Sequence, residues 1–339
     1  MLNSAYIDLN ILKQNVQNIK KNLDKKTRFC AVVKADAYGH GAPAIASAIY
    51  LQADCFAVAI FEEAKELRLC GIDKDILILT PPSLSDIAPA VFYNFILTVD
   101  SFNLVKSIER ECEKQNRKAR VHLKFNTGMN RLGVNTLKEL NVLCQYVSCS
   151  KHLILDGMFS HLGNPQNKKD TKTAQNKFLL ANNLIKGYNN KAICHLSASG
   201  GYLQSIGSEM VRIGLLLYGY KPFKSDFVSV APIMKVYAPL IKKRAISEGE
   251  HCLYGGKRAK RAERLSLIRC GYADGFFRRQ TAILFNNRCM DISAVKCQNN
   301  TDKGVLVMDD ADRLAKDYNT ISYEVLVSCT KRAQKIYLQ

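Results

Sequence analysis

The chain has 339 residues, 47% of them hydrophobic, which is enough for one large domain plus a smaller one and too apolar for a disordered chain. Its 49 Lys and Arg against 30 Asp and Glu give a formal charge of +19, and its twelve cysteines are scattered with no C-x-x-C pair, which excludes a zinc ribbon and a thioredoxin-type motif. No apolar run approaches the roughly 20 residues that span a bilayer. The opening MLNSAYIDLN has no basic region followed by an apolar one. The reading is a cytoplasmic protein with reduced thiols, without a membrane segment. The densest basic cluster, KRAKRAER over Lys257–Arg264, has no interleaved aromatics and no helix-turn-helix or RNA-binding signature beside it. We read it as a solvated face favourable to anionic ligands rather than a nucleic-acid site.

In chain order, SAYIDL reads as a strand that joins the C-terminal part of the molecule. Eight short apolar runs with polar tips follow: Phe29–Lys34, Cys55–Ile60, Asp75–Thr80, Phe95–Asp100, Val121–Asn126, Leu153–Ser160, Ala192–Ser199 and Met210–Tyr218. Segments with helical spacing separate them. In NTLKELNVLCQYV, Leu137, Leu140, Val142, Leu143 and Val147 fall near one face, with Asn135 or Thr136 as N-cap. Apolar strands alternating with helices imply parallel strands buried on both faces. Eight such units predict a (β/α)8 TIM-type barrel over residues 8–222. Beyond it, APIMKVYAPLIKKRAI, RLSLIRCGYADG, ISAVKC, GVLVMDD and SYEVLVSC are strand-like runs without long helical spacers. They predict a smaller β-rich C-terminal domain over residues 223–339, together with residues 1–7.

Catalytic groups of such barrels sit at the C-terminal ends of the strands. The tips here carry Lys34 and Tyr38, then Lys124, Asn126 and Arg131, then His161, then His195, Ser197 and Ser199, then Arg212. Each alone has a bland account: a solvated lysine, half of a surface ion pair, a satisfied core histidine. Their joint placement is what points to a site. SASGG opening a helix fits an anion site, and its bland account is a serine N-cap before a turn. A sheltered lysine has a depressed pKa, so its amine is free to act as nucleophile or base. A phosphate-bearing aldehyde would use both features. Pyridoxal 5'-phosphate is such a cofactor, an electron sink for a carbanion at the substrate α-carbon.

AVVKADAYGHGA resembles the cofactor-lysine motif of the alanine racemases, fold-type III pyridoxal-phosphate enzymes. KFNTGMNRLGV, FSHLG, VRIGLLLYG, GYADGFFRR, CMD and SYEVLVS occur in that family's order, so the resemblance spans nearly the whole chain. It implies a barrel followed by a β-domain, and racemisation of L- and D-alanine that supplies D-alanine for peptidoglycan. It implies that Lys34 links to the cofactor and serves as base on one α-face. Tyr272, from the other subunit of a homodimer with shared active sites, becomes the second base. Arg212 hydrogen-bonds the pyridine nitrogen and keeps it unprotonated, and His161 orients Tyr272. Arg131 and the Met290 backbone handle the substrate carboxylate. Ser199, Gly214 and Tyr323 bind phosphate with Tyr38 nearby, and in some family members the lysine matching Lys124 is carbamylated. Two bases on opposite faces are what a racemase needs, since one base alone returns the proton mostly to its own side.

The chain departs from the family pattern at Ala198, where asparagine is usual, and at Asn126, where a carboxylate is usual. The segment between GFFRR and CMD is shorter than in the family. Three other readings are a broad-specificity amino-acid racemase, a non-catalytic pyridoxal-phosphate carrier and a decarboxylase. The carriers lack the second domain and the YADG tyrosine, and the decarboxylases need an acidic partner where this chain has Arg212.

Overall fold

The computed structural model describes residues 2–254, 258–278, 288–296 and 304–339. After a first strand, β1 (Ser4–Asp8), eight strands form one parallel sheet: β2 (Arg28–Val32), β3 (Cys55–Val58), β4 (Ile76–Ile78), β5 (Ile96–Val99), β6 (Ala119–Lys124), β7 (Leu153–Phe159), β8 (Ile193–His195) and β9 (Met210–Ile213). Each falls within or beside one of the eight apolar runs, and nearly every residue in them is buried, as strands covered on both faces require. Their order is β8-β7-β6-β5-β4-β3-β2-β9, so neighbours in sequence are neighbours in space until β9 returns beside β2. The Arg212 N–H donates to the Ser197 carbonyl at 3.1 Å, and the Ala198–Arg212 bridge closes the ring. The barrel of the sequence reading is present, with helices outside it.

The helix Leu137–Cys149 shows how the outer layer is built. Thr136, not Asn135, is its N-cap. The Glu139 N–H donates to Thr136 Oγ1 at 3.1 Å, and the Thr136 N–H donates back to Glu139 Oε2 at 2.9 Å, a reciprocal cap. Leu140, Leu143, Cys144 and Val147 are buried, but Leu137 and Val142 are exposed. Position 142 lies about 200° round the helix from 140 at 3.6 residues per turn, so it belongs to the outer face. The last run, Met210–Tyr218, is strand only to Ile213, and Leu215–Tyr218 turns as a 3-10 helix.

Two further sheets follow. β10 (Met234–Ala238), β14 (Val305–Met308) and β15 (Gln334–Leu338) combine with β1 in the order β14-β10-β1-β15, with β1 and β15 parallel. β11 (Leu240–Ile246), β12 (Glu263–Ile268) and β13 (Ser293–Lys296) form an antiparallel sheet with a small core of Ile246, Cys252, Ala259, Leu265 and Ala294. SYEVLVSC differs from the sequence reading: Ser322–Ser328 is a helix. Its buried residues are Ser322, Val325 and Leu326, the i, i+3, i+4 set of a helical face. In the basic cluster, Lys257 lies outside the described residues, as does most of the shortened segment ahead of Cys289. Among the described residues no helix is long and apolar enough to cross a membrane, and no group of three His, Cys, Asp or Glu is placed to hold a metal ion.

Candidate active site

Lys34 follows β2 directly, and the chain then takes an unusual path. Ala35, Asp36, Ala37 and Tyr38 all have φ between 51° and 55°, one turn of left-handed helix. Such a turn costs roughly 1–2 kcal/mol per residue for L-amino acids, so its surroundings must hold it. The Ala35 N–H donates to Glu63 Oε1 at 2.6 Å and the Ala42 N–H to Asp36 Oδ1 at 2.8 Å. Lys335 on β15 pairs with Asp36 Oδ2 at 2.6 Å. The two glycines of the GHG stretch admit the second domain closely. A Cβ on Gly41 would stand 1.9 Å from Tyr337 Oη, and one on Gly39 would stand 2.3 Å from Thr330 Oγ1. Both have positive φ as well. The lysine is thus presented by a turn fixed from two sides.

Lys34 opens into a cavity of about 490 Å³ at the C-terminal ends of the barrel strands. Tyr38, Lys124, Arg131, His161, Ser199, Arg212, Gly214 and Tyr323 line it too. The structure therefore brings together eight of the ten site residues read from the sequence, counting Lys34 and leaving Lys124 aside. At one end the hydroxyls of Ser199 and Tyr38 gather round Gly214, and the Tyr323 ring lies 5.9 Å from that of Tyr38. The Gly214 N–H donates to Ser199 Oγ at 3.3 Å, and a Cβ on Gly214 would stand 2.5 Å from Tyr38 Oη. Burial pushes both tyrosine hydroxyls up, so they remain donors at neutral pH.

The other end is rich in cations. Arg212 is buried; its Nη1 donates to His195 Nδ1 at 2.6 Å and to the His195 carbonyl at 2.9 Å. Its Nη2 donates to the Ser160 carbonyl at 2.6 Å and the Leu196 carbonyl at 3.2 Å, with His161 Nδ1 at 3.4 Å. Lys124 is buried with Nζ 3.7 Å from the centre of the Phe159 ring, a cation–π contact. Desolvation drives its pKa well down, and Arg212 and Arg131 add to the effect. Lys34 is lowered by the same causes, burial first and Arg131 second, against a smaller opposing pull from Glu63. Burial holds His161 well below the usual histidine range, and Arg212, Lys124, Arg131 and Lys34 push the same way.

Asn126 explains how the chain does without a carboxylate there. Its Oδ1 accepts from the Gly128 and Asn130 N–H groups at 3.0 Å each, and its Nδ2 donates to Asn130 Oδ1 and Asn135 Oδ1 at 2.8 Å each. An amide makes all four bonds, whereas a carboxylate has no donor for the last two. That network fixes the loop that carries Arg131.

Ser197 and His195 do not line the cavity. Ser197 is fully buried with an unpartnered Oγ, so it is not placed to stand in for the missing asparagine at Ala198. Tyr272 and Met290 are also apart from it. They lie together on the second domain, where the Ala273 N–H donates to the Met290 carbonyl at 2.9 Å and the Tyr272 N–H to the Cys289 carbonyl at 3.2 Å. Both side chains are exposed, Tyr272 by 43% and Met290 by 55%. Asp36, Glu63 and Lys335 were missed in the sequence. A carboxylate in a turn and a lysine in a distant strand give no signal until the fold joins them.

Comparison with known proteins gives consistent results. The family model described as "Alanine racemase, N-terminal domain" matches residues 7–222, and "Alanine racemase, C-terminal domain" matches residues 233–337. The chain is 32% identical over 370 aligned positions to an alanine racemase of Clostridium tetani, covering 99% of this chain and 95% of that one. To an alanine racemase of Streptococcus pyogenes it is 30% identical, covering 98% and 97%. Among solved structures it resembles the alanine racemase of Clostridium difficile (TM-score 0.93, 28% identity, 100% and 96% covered). It also resembles that of Bartonella henselae with covalently bound pyridoxal phosphate (TM-score 0.84, 25% identity, 100% of both chains covered).

Proposed function

We infer, from a chain that belongs to the alanine racemase family and so racemises alanine, that the Lys34 cavity holds pyridoxal 5'-phosphate and that each site is completed by a second copy of the chain. The residues fit the cofactor. Hydroxyls of Ser199 and Tyr38 at Gly214, with Tyr323 beside them in the lining, suit a phosphate, and Lys34 suits an aldehyde carbon. Arg212 suits a ring nitrogen: its four Nη hydrogens are taken up, and its Nε–H has no partner among the described residues. When bound, pyridoxal phosphate withdraws electron density from the substrate α-carbon and makes its proton removable.

The protein's part is to bind, orient and move that proton. Lys34 Nζ, whose pKa burial lowers, gives up its proton more readily than an exposed lysine and serves one face of the α-carbon. Arg131, on the loop braced by Asn126, takes the substrate carboxylate. The opposite face needs Tyr272 Oη. In its own chain that tyrosine lies on the surface of the second domain, so the reading assigns it, with the Met290 backbone, to the cavity of a partner in a two-fold homodimer. His161 is neutral. Its Nδ1 faces Arg212, so its proton lies on Nε2, free to donate to the Tyr272 oxygen and steady it. The D-alanine produced is assigned to peptidoglycan.

The observation that carries this reading is the division itself: one base lines the cavity, and the other is held on the surface of a different domain. Lys34→Ala and Tyr272→Phe are each expected to be nearly inactive. Mixed under subunit exchange, about half the dimers carry one intact site, and activity is expected to return to about a quarter of wild type. No recovery despite demonstrated exchange overturns the shared site. Lys34→Ala is also expected to lose the cofactor adduct that borohydride fixes to the protein, and an adduct retained would reassign the lysine.

A further inference from the structure

Arg212 is a buried cation with no carboxylate in contact among the described residues. Its acceptors are three carbonyl oxygens and two imidazoles. A buried charge without a nearby counter-charge is costly, so its hydrogen-bond partners must hold it, His195 first among them. His195 is wholly buried and stacks on Phe159 with ring centres 5.1 Å apart and planes 3° from parallel. Its Nδ1 receives the Arg212 hydrogen and so carries none. Burial, with Arg212 next, keeps the ring neutral, so its single hydrogen is on Nε2. Nε2 lies 2.9 Å from His122 Nδ1, which must accept. His122, also buried and neutral, then carries its hydrogen on Nε2, 3.0 Å from Asp156 Oδ2. Every hydrogen in the series points the same way, from the guanidinium to the carboxylate.

The fold makes room for this. The interior of such a barrel is ordinarily filled by branched apolar side chains. Here the β6–β7 pairing shifts register between Val121 and His122, and opposite the shift stands Gly157, where a Cβ would be 2.8 Å from His122 Cε1 and Nε2. Asp156 in turn receives Arg120 Nη2 at 3.1 Å, and Arg120 forks onto Asp75 at 2.5 and 2.8 Å. Burial would raise the Asp156 pKa, but His122 and then Arg120 outweigh it and bring it to about 2.

We propose that His195, His122 and Asp156 are positioning residues for the reaction: a hydrogen-bond series of fixed direction that ties Arg212 to a carboxylate, itself held in an ion-pair cluster with Arg120, Asp75 and Arg28, and so aims the guanidinium. The proposal rests on assigning Arg212 to the cofactor's ring nitrogen. It assigns a use to two buried histidines and a half-buried aspartate that the two-base scheme leaves without one.

The test has two parts. Long-range ¹H–¹⁵N spectra of histidine-labelled protein, with and without pyridoxal phosphate, are expected to show both His122 and His195 as the Nε2–H tautomer at pH 7.5. An Nδ1–H tautomer or a doubly protonated ring at either position overturns the series. Asp156→Asn keeps an acceptor oxygen and removes the charge. It is expected to lower kcat about tenfold with KM unchanged, the pattern of an interaction felt only in the transition state, and to shift the absorption maximum of the bound cofactor. If that variant does not fold, His122→Phe, which keeps the ring bulk and removes both nitrogens, is expected to show the same two changes. Lower thermal stability with wild-type kcat and absorption overturns the positioning role and leaves a structural one. A wild-type protein that neither takes up pyridoxal phosphate nor racemises alanine refutes the functional assignment instead, and the tautomer result stands apart from it.

Discussion

Ala198 brings no side-chain donor to the rim of the phosphate end, and the short helix Ser199–Leu203 begins there without a side-chain cap. With Ser197 buried away from the cavity, only backbone and hydroxyls remain. Ala198→Asn is therefore expected to slow cofactor loss on dialysis, since a hydrogen bond to a charged group is worth roughly 1.5–3 kcal/mol before water is discounted. Unchanged or faster loss would show that the backbone already serves. Legibility in the sequence varied residue by residue for physical reasons. Lys34 stood out because an ammonium ending an apolar run is conspicuous. His122 did not, because VHLK reads as a barrel strand whichever way the histidine points, and only the fold puts His195 and Asp156 beside it. Tyr272 was visible through resemblance alone, since a turn tyrosine in one chain carries no sign of a neighbour in another.

At the level of elements, the turn Lys34–Gly39 has the greatest effect on the site. It is left-handed against intrinsic preference and is braced by Glu63 from the barrel and by Lys335, Tyr337 and Thr330 from the second domain. Gly41→Ala adds a methyl group at φ 92°, against Tyr337 Oη. It is expected to cost at least roughly 1–2 kcal/mol of stability from the backbone alone and to speed cofactor release. Tyr337→Phe in the same chain removes the obstructing hydroxyl and should recover part of the loss. Thermal unfolding and cofactor dissociation of the two variants check this, and full stability in Gly41→Ala would contradict the contact. The barrel strands were legible because parallel strands covered on both faces leave unbroken apolar runs. The helix Ser322–Ser328 was not, because seven residues hold two turns at most and Val-Leu-Val suits either state. No local pattern revealed that residues 35–38 turn left-handed, since alanine and tyrosine ordinarily avoid it.

Over the whole molecule, buried neutral histidines set a response to acid. Burial lowers the pKa of His40 to about 4 and depresses those of His122 and His195. Below pH 6.5 the unfolded chain takes up protons at these positions and the folded chain does not, so folding stability is lost as pH falls from 6.5 toward 4. Each such proton contributes about 1.4 kcal/mol per pH unit. The urea midpoint is expected to be clearly lower at pH 5 than at pH 7.5, and equal midpoints would contradict neutral burial. The same scale brings the ends of the chain together. β1 pairs with β15, and the Lys335–Asp36 and Tyr337–His40 contacts join residues 299 and 297 positions apart. As the ribosome makes this chain, Lys34 emerges early into surroundings with nothing to keep its turn in shape. The strand that steadies it is translated about 300 residues later. The left-handed turn after Lys34 therefore cannot take its full set of braces until synthesis has passed residue 335, and a chain released earlier would carry that lysine on a turn braced from one side only.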